Sequence, residues 1–374
     1  MLQGYSEYEL GDLLEYEQPT AYIVESTDYR DSYSVPVLTA GKSFILGYTN
    51  ETDGVFDKTP VIIFDDFTTA TQYVNFPFKV KSSAMKILHI NTDLVLAKYI
   101  FYRMQIIQFD HSTHKRYWIQ QYSKIRVSVP PLSEQERIVA RIEELFSQLD
   151  AGVETLKKTK AQLAVYRQAV LKEAFAVCKE YVAIESVTQH VTDGDHMPPP
   201  KADNGIPFIM ISNIKGNAIS WGNTAFVGRD YYDSIEPKRK PQNGDVLYTV
   251  TGSYGIPVLV DFNKEFCFQR HIALLRPNDA IEQKYLYYSL MEPSVYAQAT
   301  EGATGTAQKT VGLGILRKIE IPFIENHSDQ LRIVEAIESR LSICDSIEHT
   351  VDLALQQAEA MRQSILKDAF EGRL

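Results

Sequence analysis

Apolar residues recur every three or four positions along two long stretches of the chain, residues 133–175 and 328–370. A repeat of about 3.5 residues, kept up over about five heptads, is typical of a coiled-coil seam. The pattern therefore predicts two long helices, each of which needs a long partner to cover its apolar stripe. The predicted seam residues are Ile138, Ile142, Leu145, Leu149, Leu156, Leu163, Tyr166 and Val170 in the first stretch, and Ile333, Ile337, Cys344, Ile347, Val351, Ala354, Ala358, Met361 and Ile365 in the second.

The two stretches are copies of one sequence, because they align without a gap at an offset of 195 residues and 17 of their 43 positions are identical. Ser133 with Glu136 three residues later predicts a capping box at the first helix start. Ser328 predicts a weaker start for the second helix, where Leu331 replaces the acid. Four further apolar residues lie off the seam, and we expect them to be exposed and to make the chain depend on partners for stability: Val139, Phe146, Val334 and Leu341.

Shorter apolar runs bounded by Gly, Asn, Asp or Pro fill the rest of the chain and predict strands. In residues 1–131 we expect strands at 36–39, 61–64, 76–80 and 84–90, and a helix near 94–107. Residues 177–324 repeat the plan, with strands expected at 207–211, 245–250 and 266–276 and a helix at 285–290. Both segments are therefore predicted to be mixed α/β domains.

The order of these elements predicts an α+β protein with a pseudo-twofold internal repeat. The predicted parts are two mixed α/β domains, at 1–131 and 177–324, separated by two long helices, at 132–176 and 325–374. Because the two ends of a domain usually lie close together, the second helix should run back along the first, and the two should form an antiparallel coiled coil. The alternative is a pair of parallel helices that meet across a homodimer.

Charge is distributed unevenly along this chain of 374 residues, which carries a formal net charge of −10. Residues 1–69 contain 13 acidic and 3 basic residues, whereas residues 70–129 contain 2 acidic and 9 basic residues. The net charge argues weakly against a general nucleic-acid binder, but the local excess of bases predicts a basic face that suits phosphate. The alternative for this face is an ordinary solvated surface.

The 3 cysteines are widely spaced and predict neither a disulfide framework nor a zinc site. No apolar run approaches the length of roughly 18 residues that a membrane span needs, and the N-terminus does not resemble a signal peptide. We therefore expect a cytoplasmic protein with no membrane association.

Several short phrases occur in an order that identifies a family when they are taken together with the duplicated helix. The phrases are PVLTAGKS at 36–43, IFDDFT at 63–68, TDGDH at 192–196, GIPF at 205–208, GDVLYTVTG at 244–252 and QLRIV at 330–334. Over essentially its whole length the chain resembles the specificity subunit of a type I restriction-modification system.

The resemblance implies a mechanism. Each α/β domain would be a target-recognition domain that reads one half of a bipartite site in double-stranded DNA, and the helices would set the unread spacer. Two modification subunits that bind S-adenosylmethionine would dock on the helices, and restriction subunits that use ATP and Mg would join them. The chain itself would catalyse nothing and hold no cofactor, in the cytoplasm of a bacterium or an archaeon. The target bases and the spacer length do not follow from the sequence.

Basic, hydroxyl and amide side chains in the predicted loops are the candidate DNA contacts, since they match phosphates and base edges. Most are equally typical of turns and solvated surfaces, and His196 and Asn213 are as well suited to structural roles. In the first domain the candidates are Lys42, Ser43, Thr68, Thr69, Lys79, Lys81, Ser82, Ser83, Lys86, His114, Lys115 and Arg116. In the second domain they are His196, Asn213, Lys238, Arg239, Lys240, Ser253, Tyr254, Gln269, Arg270, Gln308 and Lys309.

Two other functions were weighed against DNA recognition. Residues 75–78 (NFPF) resemble the box with which amino-methyltransferases hold a flipped adenine, but Phe76 replaces the first proline and no glycine-rich cofactor turn precedes it. We therefore interpret this stretch as the edge of a strand. The remaining alternative is a coiled-coil scaffold whose two globular heads bind proteins, and purified modification subunit would distinguish it from a DNA-reading subunit.

Overall fold

The computed structural model describes residues 4–41, 43–110, 116–194, 196, 199–306 and 308–374. The chain divides into two compact units. Unit 1 comprises Met1–Leu156 and Leu353–Leu374, and unit 2 comprises Lys157–Asp352. Each unit therefore combines one α/β domain with a part of each long helix.

Unit 1 contains three small sheets. Strands β2, β8, β5 and β6 form an antiparallel sheet in the order β2-β8-β5-β6, β3 pairs with β4 and with β7, and β1 pairs with β9. The elements are β1 (Ser6–Glu9), α1 (Leu10–Leu13), β2 (Leu14–Glu17), β3 (Val35–Leu38), β4 (Ile45–Thr49), β5 (Val61–Asp65), β6 (Thr71–Val74), β7 (Lys79–Val80), β8 (Met85–Ile90), α2 (Ala97–Met104), α3 (Tyr117–Gln120), β9 (Arg126–Val129) and the first part of α4 (Leu132–Phe175).

Unit 2 continues along α4 and has its own set of sheets. The elements are β10 (Glu180–Ala183), β11 (Thr188–Asp193), β12 (Ile206–Ile209), β13 (Ile214–Lys215), β14 (Ala218–Ile219), β15 (Ala225–Val227), α5 (Arg229–Ser234), β16 (Val246–Thr249), β17 (Pro257–Leu259), β18 (Cys267–Phe268), β19 (Ile272–Pro277), α6 (Gln283–Ser289), α7 (Pro293–Gly302), α8 (Leu313–Lys318), β20 (Glu320–Phe323) and the first part of α9 (His327–Phe370).

The two units share one sheet plan. In unit 2 the four-stranded antiparallel sheet is β11-β19-β16-β17, the three-stranded sheet is β15-β12-β18, and β10 pairs with β20; β13 and β14 add a small hairpin. In both units the first strand pairs with the strand that immediately precedes the long helix. The α+β class and the internal repeat predicted from the sequence are therefore confirmed.

Both long helices begin slightly earlier than predicted. Helix α4 begins at Leu132, so Ser133 lies inside the first turn and is not the cap that the capping-box prediction required. Helix α9 begins at His327, and the side chain of Asn326 accepts a hydrogen bond from the Ser328 backbone N–H at 2.8 Å. The prolines and the periodicity located the helices, whereas the capping prediction was wrong.

One glutamine near each helix start ties the helix to its domain. Gln135 is fully buried, and its Nε2 donates to the carbonyl oxygens of Leu94 at 3.0 Å and Pro130 at 2.9 Å. Its Oε1 accepts from the Leu96 backbone N–H at 2.8 Å. Gln330, its counterpart at the offset of 195, makes the same set of bonds in unit 2. The identity of this residue in both copies therefore has a structural cause.

Ion pairs within each unit show that the two helices run antiparallel. In unit 2, Lys160 of α4 binds Asp352 at 2.6 Å, and Arg167, further along α4, binds Asp345, which is earlier in α9. In unit 1 the same opposition appears, because Asp150 of α4 pairs with Arg362 of α9. The pairing occurs within one chain, which excludes parallel helices across a dimer as the source of this contact.

The four apolar helix residues that lie off the predicted seam are buried, so the expectation that they are exposed was wrong. Val139 and Phe146 pack into the core of unit 1, and Val334 and Leu341 pack into the core of unit 2. Each long helix therefore uses a second apolar face to hold its own domain.

Part of the predicted seam lies at the surface. Ile347 is 40% exposed, Met361 is 54% exposed and Tyr166 is 43% exposed. Tyr166 accepts a hydrogen bond from Arg340 at 3.3 Å. A continuous 3.5-residue seam therefore overstated how much of each helix faces the other, because the α/β domains take part of the apolar surface.

Candidate nucleic-acid interface

Four segments of unit 1 meet at one end of its sheets. Strands β3 and β7 are parallel, so the residues that follow them emerge on the same side, and the Lys81 N–H donates to the Leu38 carbonyl at 3.1 Å. The Asp66 N–H donates to the Ala84 carbonyl at 3.0 Å, and the Tyr117 N–H donates to the Asp66 carbonyl at 3.0 Å. This loop end brings together Ser43, Thr68, Thr69, Lys81, Ser82, Ser83 and Arg116 from the predicted contacts.

The turn between β5 and β6 is held open by its own aspartate. Asp65 Oδ1 accepts hydrogen bonds from the backbone N–H groups of Phe67 at 2.9 Å and Thr68 at 2.8 Å, the bonding pattern of an Asx turn. Thr69 completes the turn with a φ of 55°, a conformation that L side chains rarely adopt. Phe67 stands 47% exposed at the tip. The sequence analysis missed Phe67, although its place between turn residues was a signal.

Lys86 is buried, so the structure contradicts its predicted role as a phosphate contact. It is 2% exposed, and its Nζ lies 3.6 Å from Oδ2 of Asp66, which is 1% exposed. The ammonium group also donates to Gln18 Oε1. Asp66 Oδ1 accepts from the Trp118 N–H at 2.8 Å. Lys86 therefore neutralises the carboxylate that anchors the loop end, which is a structural role.

Lys79 is also buried, and the same correction applies to it. The side chain is 4% exposed, and Nζ binds Glu51 Oε2 at 2.8 Å and the Asp53 carbonyl at 2.6 Å. The bond from Lys79, together with those from the Ser26 and Glu25 N–H groups, holds the pKa of Glu51 below its ordinary value. An ammonium group committed to these partners holds the fold together and does not face a phosphate.

Three loops and the end of β11 form the corresponding end of unit 2. The Val250 N–H donates to the His271 carbonyl at 2.9 Å, and the Gly252 N–H donates to the Lys309 carbonyl at 2.9 Å. Thr251 and Thr310 form a β-bridge and a hydroxyl–hydroxyl hydrogen bond of 3.3 Å. These bonds gather the segments 250–256, 269–271 and 304–311 at one end of the sheet.

A cleft of about 340 Å³ opens at this end of unit 2. Asp193 in its wall accepts from Arg239 Nη2 at 3.0 Å and lies 2.8 Å from His196 Nε2. The cleft therefore brings three predicted contacts together, and it adds Asp193, which the sequence analysis noted only as part of a phrase. The polar residues that line it are Asp193, His196, Thr251, Arg270, His271 and Gln308.

Ser253 and Lys309 are exposed at the same loop end. Tyr254 stacks on Tyr296 with ring centroids 5.7 Å apart, and its hydroxyl donates to Thr300 Oγ1 at 3.2 Å. These contacts fix the orientation of the Tyr254 ring. Ser253 and Lys309 remain predicted DNA contacts on exposed loop positions.

Four predicted contacts are occupied by neighbouring groups. Gln269 Nε2 lies 2.6 Å from His271 Nδ1, Lys238 binds Glu236 at 2.9 Å, and Lys240 lies over the Tyr232 ring at 4.7 Å. Asn213 is 4% exposed, and its amide bonds the backbone at residues 210, 220 and 223. Asn213 therefore has the structural role that was left open, and the predicted base contact is withdrawn.

Some predictions fall outside the described residues, namely Lys42, His114 and Lys115. Phe78 of the NFPF stretch is fully buried against Phe56, with ring centroids 5.1 Å apart, so it is not placed to receive a base. Within the described ranges there is no cluster of three or more His, Cys, Asp or Glu residues suited to a metal. No described helix is long and apolar enough to cross a bilayer.

His271 offers a test of the cleft electrostatics. Burial and the neighbouring positive charge of Arg270 both lower the pKa of His271, since both disfavour the imidazolium form. We expect Arg270→Ala to raise the pKa of His271 toward its ordinary value, as one of the two causes is removed. Titration of the imidazole signals by NMR measures it, and an unchanged His271 pKa would contradict the proximity of the two groups.

A family model for the type I restriction modification DNA specificity domain matches the chain twice, at residues 3–164 and 193–357. Each match contains one of the two sheet sets and one of the two loop ends. The chain therefore belongs to the family of type I restriction-modification specificity subunits.

Named relatives cover almost the whole chain. The chain is 32% identical to the type I restriction enzyme EcoR124I/EcoR124II specificity subunit of Escherichia coli, across 94% of this chain and 92% of that protein. It is 21% identical to the type I restriction enzyme MjaVIII specificity subunit of Methanocaldococcus jannaschii, across 98% of this chain and 92% of that protein. A similar order of domains and helices therefore extends over the full length of both relatives.

Solved structures show the same fold. A chain from a study of complex assembly and conformational transition of the type I R-M system matches with a TM-score of 0.72 at 18% identity, covering 100% of this chain and 99% of that one. The HsdS subunit from Thermoanaerobacter tengcongensis matches with a TM-score of 0.50 at 18% identity, covering 100% and 98%.

Family membership decides between the functions that the sequence left open. The chain is a DNA-specificity subunit with two recognition domains, and this class of subunit recognises DNA and does not catalyse. The alternative of a coiled-coil scaffold with two protein-binding heads is not favoured.

Proposed function

We propose that this chain selects the DNA sequence on which a type I restriction-modification complex acts, with one half of the site read by each unit. The observation that carries the proposal is one sheet plan built twice with unlike residues on the equivalent loop ends. Unit 1 presents Thr68, Lys81 and Arg116, whereas unit 2 presents Arg270 and Gln308 around a cleft. A repeated scaffold with different loop chemistry suits two different targets.

The catalytic steps belong to partner chains in this proposal. Two modification subunits dock on α4 and α9, bind S-adenosylmethionine and methylate adenine, and restriction subunits with ATP and Mg complete the complex in the cytoplasm. The names of the relatives, all specificity subunits of type I restriction enzymes, support this assignment.

The proposal is tested with the purified chain and modification subunits from the same source. Labelled methyl transfer to plasmid DNA is measured with and without the chain. We expect methylation to require the chain and to occur at a small set of sites. Methylation that proceeds equally without the chain would contradict the proposed function.

A change of helix length tests the proposed spacer. Seven residues inserted after Leu156 of α4 and after Leu355 of α9 lengthen each helix by roughly 10 Å, which corresponds to about three base pairs. We expect the unread gap of the methylated site to lengthen while both half-sites stay the same, as measured by sequencing the methylated sites. An unchanged gap in an assembled, active complex would contradict the spacer role.

A further inference from the structure

Two side chains in the cleft of unit 2 stand on rigid backbone and point to direct reading of bases. The cleft contains Arg270 and Gln308 together with Asp193 and Thr251. Arginine matches the O6 and N7 acceptors of guanine, and glutamine matches the N6 and N7 groups of adenine, provided that each side chain is held in place. The surroundings of each residue decide whether that condition is met.

Arg270 lies at the tip of a turn fixed on both sides. The Gln269 N–H donates to the Ile209 carbonyl at 3.0 Å, the Ile272 N–H donates to the Gln269 carbonyl at 3.1 Å, and the His271 carbonyl accepts from Val250. Arg270 itself is exposed, and no ion pair of its guanidinium occurs within the described part of the chain. The planar fork of five donors therefore faces solvent from a fixed backbone position.

Gln308 is placed by a glycine on the neighbouring loop. Gly252 has a φ of +72°, and a Cβ at this position would lie 2.8 Å from Gln308 Nε2. The Gly252 N–H also holds the Lys309 carbonyl, so the backbone beside Gln308 is fixed. The missing Cβ leaves room for the amide over the turn, and a larger residue at 252 would displace it.

The remaining amide near the cleft is already committed. Gln269 Nε2 lies 2.6 Å from His271 Nδ1, which takes this amide out of the set that can reach a base. Asp193 is held by Arg239 and His196, so its carboxylate is neutralised within the wall of the cleft. Arg270 and Gln308 are thus the side chains of the cleft with suitable chemistry and a fixed attachment.

We propose that this cleft reads two base pairs of the half-site recognised by unit 2, with Arg270 contacting a guanine and Gln308 contacting an adenine in the major groove. The inference rests on the proposed function and adds to it the two bases and the residues that select them. A good bidentate contact discriminates between bases by between roughly fivefold and a hundredfold.

The test uses the chain assembled with its modification subunits and a duplex library in which the methylated motif is randomised one base pair at a time. Methylation of each duplex is counted by sequencing. In Arg270→Ala we expect the preference for guanine at one base pair to fall by at least fivefold, and in Gln308→Ala the preference for adenine at a different base pair to fall similarly. Preferences in the other half-site should not change.

Two further variants separate base reading from other roles. Arg270→Lys keeps the charge but lacks the planar fork, so we expect it to lose the guanine preference while DNA affinity stays close to wild type. Arg229→Ala removes an exposed arginine of unit 2 that pairs with Glu265 at 2.7 Å, and it should leave every base preference unchanged.

Three results would overturn the assignment. They are unchanged base preferences in Arg270→Ala and Gln308→Ala, a uniform loss of affinity across all duplexes, as a phosphate contact would give, and a lost preference for bases other than guanine and adenine. A wild-type complex without any sequence preference would instead contradict the proposed function itself, so the two failures are distinguishable.

Discussion

Replacing Gln330 with alanine is expected to lower the free energy of unfolding of unit 2 by about 3 kcal/mol. The side chain is fully buried and bonds three backbone groups: the carbonyls of Ala280 at 3.0 Å and Ile324 at 2.8 Å, and the N–H of Glu282 at 2.7 Å. Alanine leaves all three without this partner in a buried site. Urea unfolding followed by hydrogen exchange of peptides from α6 and the start of α9 measures the loss.

Gln162→Ala is the matched control, since Gln162 is an exposed helix glutamine of the same unit. We expect its effect to stay within about 0.5 kcal/mol, the range of ordinary surface substitutions. The equivalent pair in unit 1, Gln135→Ala and Gln357→Ala, should behave in the same way. Equal stability of Gln330→Ala and Gln162→Ala would contradict the anchoring role.

Replacing Asp66 with alanine is expected to destabilise unit 1 by about 3 to 5 kcal/mol, because it leaves the Lys86 ammonium buried without an opposite charge. Asp66 and Lys86 are 1% and 2% exposed, and the carboxylate also accepts from the Trp118 N–H. The loop end would lose its anchor together with the charge. Urea unfolding gives the size of the effect, and the change in hydrogen exchange should centre on the residues that flank Asp66 and on α3.

A double substitution provides the control for the buried pair. Asp66→Asn with Lys86→Met removes both charges and keeps an acceptor for the Trp118 N–H, so most of the stability should return. If the double variant is as unstable as the sum of the two single ones, the buried charge is not the cause of the loss.

The long helices could be predicted from the sequence because their signal is repeated many times. A 3.5-residue period over 43 positions, written twice, leaves little choice of structure. The second apolar face could not be assigned in the same way. Val139 and Val334 are explained only when the domain beside each helix is known, because periodicity reports that a residue is apolar and not which neighbour covers it.

The short strands were harder to predict than the helices. The expected strand at 76–80 is reduced to β7 (Lys79–Val80), and the expected strand at 266–276 is split into β18 and β19 by the turn that carries Arg270. Strands β4, β6 and β9 were not predicted at all. Segments of two to five residues carry too little periodicity to distinguish them from extended loops.

The candidate site was predicted at the level of loops and not of side chains. The sequence placed Arg270 and Gln308 in loops, and the structure brings both to one cleft. Lys79 and Lys86 were assigned to the surface because lysines are rarely buried, whereas each is matched to a carboxylate inside the fold. Pairings between residues far apart in sequence decide these cases, and one sequence does not reveal them.

The central claim is that each of the two units reads one half of a split DNA site, and sequencing methylated bases in DNA modified by the chain with its modification subunits tests it most directly. The account predicts one motif made of two defined half-sites with an unread gap of constant length between them. A single uninterrupted motif, or a methylation pattern that is the same when the chain is left out, would contradict it.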